Sequence, residues 1–263
     1  MKKIMTIGGS DPFAGGGIQS DLKTFENYHL FGMSALTCVG MLDENGHFVL
    51  EDLPAIWLER QLQSIQSMTQ LDGIKIGLLH SLEAIEVVRD FLKMNTGIPI
   101  ILDPVLAFKE TSTAANKEYT EKIILELFPL VDVVTPNLKE ASLLSNEVVT
   151  TVTQMETCAQ KIYSLGAKNV VIKGGAGIMG NEALDLLYDG DIFIKFKRKK
   201  LQKTTVNGAG CTFSSAIAAN LVKGKTLPEA IAYSKDYVYE CILNGVMMNN
   251  QTGSVWSTGK GVD

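Results

Sequence analysis

Short apolar runs rich in β-branched residues alternate along the chain with longer stretches whose apolar residues recur at helical spacing. The strand-like runs cover residues 3–7, 35–42, 73–76, 98–102, 131–135 and 169–172. Between them, the helical pattern predicts helices over residues 18–29, 56–69, 82–94, 117–127 and 155–165. Strand and helix in strict alternation build a mostly parallel sheet covered by helices on both faces. Two more strand-like runs, 183–188 and 192–196, are joined by Asp189-Gly190-Asp191, which predicts an antiparallel hairpin at the sheet edge. Helical patterns over 211–222 and 227–246 close the chain. No Pro/Ser-rich linker, repeat or low-complexity block divides it, so the expectation is one α/β domain over residues 1–263.

Composition changes this picture little. The 263 residues are 46% hydrophobic and 20% charged, enough apolar material for a sizeable core. A net charge of -5 argues against nucleic acid or an acidic membrane as partner. An anionic ligand must then be held by local groups. No apolar run reaches the roughly 20 residues that cross a bilayer. The opening MKKIMTIGGSD is basic like a signal peptide, but Gly8, Gly9 and Asp11 interrupt its short apolar stretch. It reads as a first strand, and the expected location is cytoplasmic. Cys38, Cys158, Cys211 and Cys241 form no C-x-x-C pair, and His29, His47 and His80 do not cluster with them, which disfavours a zinc site. The basic run over 195–200 reads as a solvated strand end.

Candidate chemistry concentrates where strands end, the side on which open α/β sheets bind ligands. The strongest local signal is TVNGAGCT at 205–212, followed by a helix of small apolar residues. A Gly-x-Gly segment opening a helix leaves backbone N–H groups pointing outward, a site for a phosphate. Cys211 would stand in the first turn, where the same potential lowers a thiol pKa. A glycine-rich helix start with a buried cysteine and no ligand is the other reading of these residues. The loop GGSDPFAGGG at 8–17 lacks dinucleotide-binding spacing, and no G-x-x-x-x-G-K-[ST] occurs. Its Ser10 and Asp11 suit a polar substrate. Asp103-Pro104 could place a carboxylate near magnesium, and Asn137 and Glu140 share a helix face. Lys173-Gly174-Gly175 brings an ammonium to a flexible turn. Each has a structural alternative, such as Asn137 serving as a helix N-cap.

Together these segments resemble the ribokinase-like superfamily, in the branch of hydroxymethylpyrimidine (phosphate) kinases and the pyridoxal kinases similar to them. The motifs are GGSDPFAGGGIQSDLKTF, DGIKIGLL, ILDPVL, VVTPNLKEASLLS, VVIKGG and NGAGCTFSSAIA, in order along nearly the whole chain. The resemblance implies a three-layer α/β/α sandwich and an ATP- and Mg²⁺-dependent kinase acting on the hydroxymethyl group of a small heterocyclic alcohol. It implies that Cys211 is the base facing the hydroxyl, and that Gly208, Ala209 and Gly210 form the anion hole. Asn137, Lys173, Gly174, Gly175 and Gly210 would meet ATP, and Asp103 and Glu140 would hold magnesium, in part through water. Gly9, Asp21, Leu42, Leu78, Val105 and Cys211 would line the heterocycle pocket, with Asp21 bonding the ring. Leu42 stands where the pyrimidine kinases carry a glutamine, which favours pyridoxal, pyridoxine or pyridoxamine over hydroxymethylpyrimidine. Phe108 stands where a lid cysteine occurs in pyridoxal-kinase-like members, which pulls the other way. A non-catalytic vitamer-binding protein is the remaining class. The resemblance also implies a homodimer, with residues 45–53 as a contact or flap.

Overall fold

The computed structural model describes residues 1–106 and 113–256, with side chains described outside 107–116. In chain order the first half runs β1 (Lys3–Ser10), α1 (Gly17–Asn27), β2 (Phe31–Leu42), β3 (Phe48–Asp52), α2 (Ala55–Met68), β4 (Gly73–Ile76), α3 (Leu82–Met94), β5 (Ile100–Leu102) and α4 (Thr113–Leu127). The second half runs β6 (Val133–Val134), α5 (Leu138–Ser145), α6 (Val152–Ser164), β7 (Val170–Lys173), β8 (Glu182–Tyr188), β9 (Phe193–Lys199), β10 (Thr205–Asn207), α7 (Ala209–Val222), α8 (Leu227–Leu243), β11 (Val246–Met247) and β12 (Gly253–Ser254).

One sheet carries the order β3-β2-β1-β4-β5-β6-β7-β8-β9. Strands β2, β1, β4, β5, β6 and β7 are mutually parallel, and the antiparallel hairpin β8–β9 forms one edge as expected. The other edge was not anticipated. Residues 48–52 pair antiparallel with β2, Leu42 standing opposite Phe48. Two further elements escaped the periodicity: the eight-residue α5, and a small sheet of order β10-β12-β11.

The period-two alternation of buried strands decides which layer each side chain enters. Met5, Ile7, Ile74, Ile76 and Ile172 face α2, α3 and α6, while Ile4, Ile101, Val133 and Val171 face α1, α7 and α8. Burying each such side chain stabilises the fold by about 1.5–3 kcal/mol. Helix α7 is buried nearly all round, Thr212 through Asn220 being inaccessible or almost so, which explains its run of small residues. Polar residues also enter the α1/α7/α8 layer. Thr6 and Lys75 are register partners on β1 and β4 and point into it, as does Asp185 on β8.

Candidate active site

Two cavities meet at the N-terminus of α7, at the carboxyl ends of the parallel strands. The turn that starts this helix requires glycine at 208. Its φ of 81° is left-handed, and a Cβ there would stand 1.5 Å from the Gly15 carbonyl oxygen. No side chain caps α7. Its first helical bond runs from the Thr212 N–H to the Gly208 carbonyl at 2.8 Å, so the amides of Ala209, Gly210 and Cys211 precede the ladder. Lys173 Nζ lies 3.4 Å from where a Cβ on Gly210 would be, adding a full positive charge to the helix end.

The first cavity, about 200 Å³, is walled by Gly9 of β1, Leu78 after β4, Val105 after β5, Phe48 and Leu50 of β3, and Cys211. The ring of Phe13, from the loop after β1, packs against the wall residue Phe48 at 6.3 Å between centroids. Asp11, which also lines the cavity, shapes that loop: its carboxylate accepts from the N–H groups of Phe13, Gly15 and Gly16. The second cavity, about 310 Å³, is walled by Asn137, Lys173, Gly175, Ala209 and Gly210 on its polar side and by Phe213, Val238 and Ile242 on its apolar side.

Between the cavities lies a buried charge cluster. Lys173 Nζ bonds Asp103 Oδ1, and Ser214 Oγ donates to Asp103 Oδ2 at 3.0 Å. The Lys173 N–H donates to the Pro136 carbonyl at 2.8 Å, which sets Asn137 alongside. Asn137 is indeed the N-cap of α5. Its Oδ1 accepts from the Lys139 and Glu140 amides, and Glu140 Oε2 accepts from the Asn137 N–H at 2.7 Å, closing a capping box. Burial pushes the Glu140 carboxyl up to about 7, with Lys173 drawing it down and Asp103 raising it. Burial alone would lower Lys173, but Asp103 and Glu140 more than offset this and hold it above the usual range.

Cys211 departs from the expectation of a lowered pKa. It stands in the first turn of α7, but burial pushes its thiol up to about 11. Lys75 and Lys173 pull it down, while Asp103 and Asp21 oppose them. Desolvation therefore outweighs the helix end. Asp21 lines the first cavity as well, and its carboxylate accepts from Thr6, Ser215 and Lys75. Leu42, expected in the heterocycle pocket, is 51% exposed at the end of β2 and does not line the first cavity. Next to it, Phe48 and Leu50 of β3 supply walls of that cavity. Gly174 packs rather than lines, a Cβ there meeting the Leu184 carbonyl at 2.3 Å. Phe108 lies outside the described residues.

Among the described residues no three His, Cys, Asp or Glu side chains gather as a metal cage. Two buried carboxylates, Asp103 and Glu140, beside the uncapped end of α7 fit magnesium, which keeps water and borrows substrate oxygens. Sequence reading missed Lys75, the wall residues of β3, and the Asp185–Lys235 ion pair at 2.7 Å in the second cavity. The signal for Lys75 was present: a lysine inside the otherwise apolar strand GIKI needs a buried partner.

Comparison with known proteins places the chain in a family. The family described as phosphomethylpyrimidine kinase matches residues 11–256. A hydroxymethylpyrimidine/phosphomethylpyrimidine kinase of Aquifex aeolicus is 37% identical over 91% of this chain and 94% of its own. Bacillus subtilis pyridoxal kinase, solved as an ADP complex, superposes with a TM-score of 0.94 at 34% identity, covering 100% of both chains. A Clostridium difficile phosphomethylpyrimidine kinase superposes with a TM-score of 0.76 at 32% identity, covering 92% of this chain and 100% of its own.

Proposed function

The chain belongs to the phosphomethylpyrimidine kinase family and is a kinase of ribokinase-like fold, and we propose that it transfers the terminal phosphoryl group of ATP to the hydroxymethyl group of a pyridoxine-type vitamer. The observation that carries the choice of acceptor is the course of the backbone. At nearly equal identity, it follows the pyridoxal kinase at a TM-score of 0.94 and the phosphomethylpyrimidine kinase at 0.76. The family description and the Aquifex relative favour hydroxymethylpyrimidine as the second reading.

The two cavities suit the two substrates. The vitamer occupies the smaller one with its hydroxymethyl toward Cys211, and ATP occupies the larger one with its phosphates toward Lys173 and α7. The acceptor oxygen attacks the terminal phosphorus, the bond to the bridging oxygen breaks, and ADP leaves. The amides of Gly208, Ala209, Gly210 and Cys211 surround the moving phosphoryl group, and Lys173 offsets its charge. Asn137 and Gly175 border the nucleotide, and Gly174 holds their turn against β8. Asp103 and Glu140 would hold Mg²⁺, in part through water, and the ion would neutralise phosphate oxygens. The hydroxyl proton passes to Cys211 Sγ. Because the transition state is loose, that proton leaves late, and the thiolate form of Cys211 is what accepts it.

The same reading includes a homodimer. The edge strand β3 has one unpaired side, and around it Leu42, Phe48, Ile56 and Trp57 are 51%, 42%, 49% and 55% exposed. Four free cysteines support a reducing, cytoplasmic setting.

The test is ATP consumption with pyridoxal, pyridoxine or hydroxymethylpyrimidine, each with and without Mg²⁺. Mg²⁺-dependent turnover strongest on the pyridines is expected. Turnover confined to the pyrimidine would refute the choice of acceptor.

A further inference from the structure

Asp185 stands on β8 as the register partner of Lys173 and is 6% exposed. A carboxylate buried so deeply needs partners. Lys235 of α8, itself 8% exposed, donates to its Oδ2 at 2.7 Å, and the Gly175 N–H donates to its Oδ1 at 3.1 Å. The Gly175 carbonyl accepts from the Leu184 N–H at 2.9 Å, so both polar groups of this glycine are tied to β8. Gly175 has a left-handed φ of 49°, and a Cβ there would meet nothing within 4 Å. The clamped turn therefore faces open space, and Gly175 borders the second cavity.

Asp185 and Lys235 border the same cavity. On α8, Lys235, Val238, Tyr239 and Ile242 fall at i, i+3, i+4 and i+7, so the ion pair also fastens β8 to the helix face that walls it. Lys173 has a different task, because its ammonium is held by Asp103 beside the start of α7. An unpaired carboxylate in this cavity would repel the phosphates of a nucleotide, whereas one paired with Lys235 adds no net charge.

We propose that Asp185 and Lys235 are positioning residues for the phosphoryl donor. The carboxylate fixes the Gly175 turn against which the nucleotide rests, and the ammonium cancels the charge of that carboxylate. Both act through Gly175 and the wall of α8 rather than on the reacting atoms. This rests on the nucleotide occupying the second cavity, as proposed above.

The experiment measures the Kd for ADP by titration calorimetry, and KM for ATP and for pyridoxine, in three variants. Lys235→Met leaves a lone buried carboxylate beside the nucleotide, and ADP binding should weaken by about tenfold or more. Lys235→Met/Asp185→Asn removes both charges and keeps an oxygen for the Gly175 N–H, so Kd should return to within about threefold of the unmodified protein. Lys235→Met/Asp185→Leu also removes that acceptor, and KM for ATP should rise by about tenfold while KM for pyridoxine changes by less than about twofold. If Lys235→Met does not fold by circular dichroism, the two double variants, which hold no lone charge, still decide. Unchanged ADP binding in Lys235→Met/Asp185→Leu, or an equal rise in KM for both substrates, would overturn the positioning role. Lys173→Met separates the two levels, because Lys173 borders the same cavity. If it weakens ADP binding while the Asp185 variants do not, only the role of the pair falls. If it too leaves ADP binding unchanged, the placing of the nucleotide in this cavity falls with it.

Discussion

Single side chains in this site are set by desolvation as much as by their partners. The Cys211 thiol shows it: a helix end and two lysines favour the thiolate, yet burial wins and the group rests near 11. A raised thiol pKa means that the proton-accepting form is scarce at neutral pH and grows as pH rises toward that value. Turnover limited by the base should therefore climb with pH, approaching tenfold per unit between about pH 7 and 10. Initial rates with Mg²⁺-ATP and pyridoxine check this, and Cys211→Ser should flatten the rise as well as lower the rate. A profile flat in the unmodified protein would remove Cys211 as the base. Asn137 and Glu140 make a related point. Their spacing serves a helix cap and a metal site at once, so the structural and functional readings of that motif are both satisfied.

At the scale of elements, the N-terminus of α7 depends on a contact made nearly two hundred residues away along the chain. The left-handed turn at Gly208 lies against the backbone of Gly15, which joins the loop after β1 to the helix that carries Cys211. Gly208→Ala should cost about 2–4 kcal/mol, from positive-φ strain plus overpacking against a carbonyl that cannot rotate away. Urea denaturation gives the stability, and kcat should fall further than a mere loss of stability explains, because the amides of the anion hole shift with the turn. Strand β3 was hidden from sequence reading for a physical reason. FVLED is short and half-exposed, and what makes it a strand is the ladder to β2 and the contact of Phe48 and Leu50 with the cavity. Helix α5, at eight residues, is likewise too short for a periodic signal, although its capping box was plain in Asn137 and Glu140.

At the scale of the whole molecule, an exposed apolar margin runs from β3 to the start of α2, with Leu42, Phe48, Ile56 and Trp57. If it is the dimer face, light scattering should return twice the 28.6 kDa of one chain. Trp57→Glu, which sets a charge in that margin, should return the single-chain mass while leaving the far-UV spectrum unchanged. A single-chain mass for the unmodified protein would dismiss the dimer. What the sequence by itself determined is the layered α/β fold, the order of most strands and helices, and the placing of Cys211, Asn137, Glu140, Lys173 and Asp103 at strand ends. Those follow from periodicity and turn chemistry, which are local, and from motifs that hold their order along the chain. Only the tertiary structure decided that Leu42 faces solvent, that Asp21 accepts from Thr6, Ser215 and Lys75, and that the Cys211 thiol is held protonated. Register between strands, exclusion of water and the pairing of charges from distant segments arise when layers pack, and no window of sequence contains them.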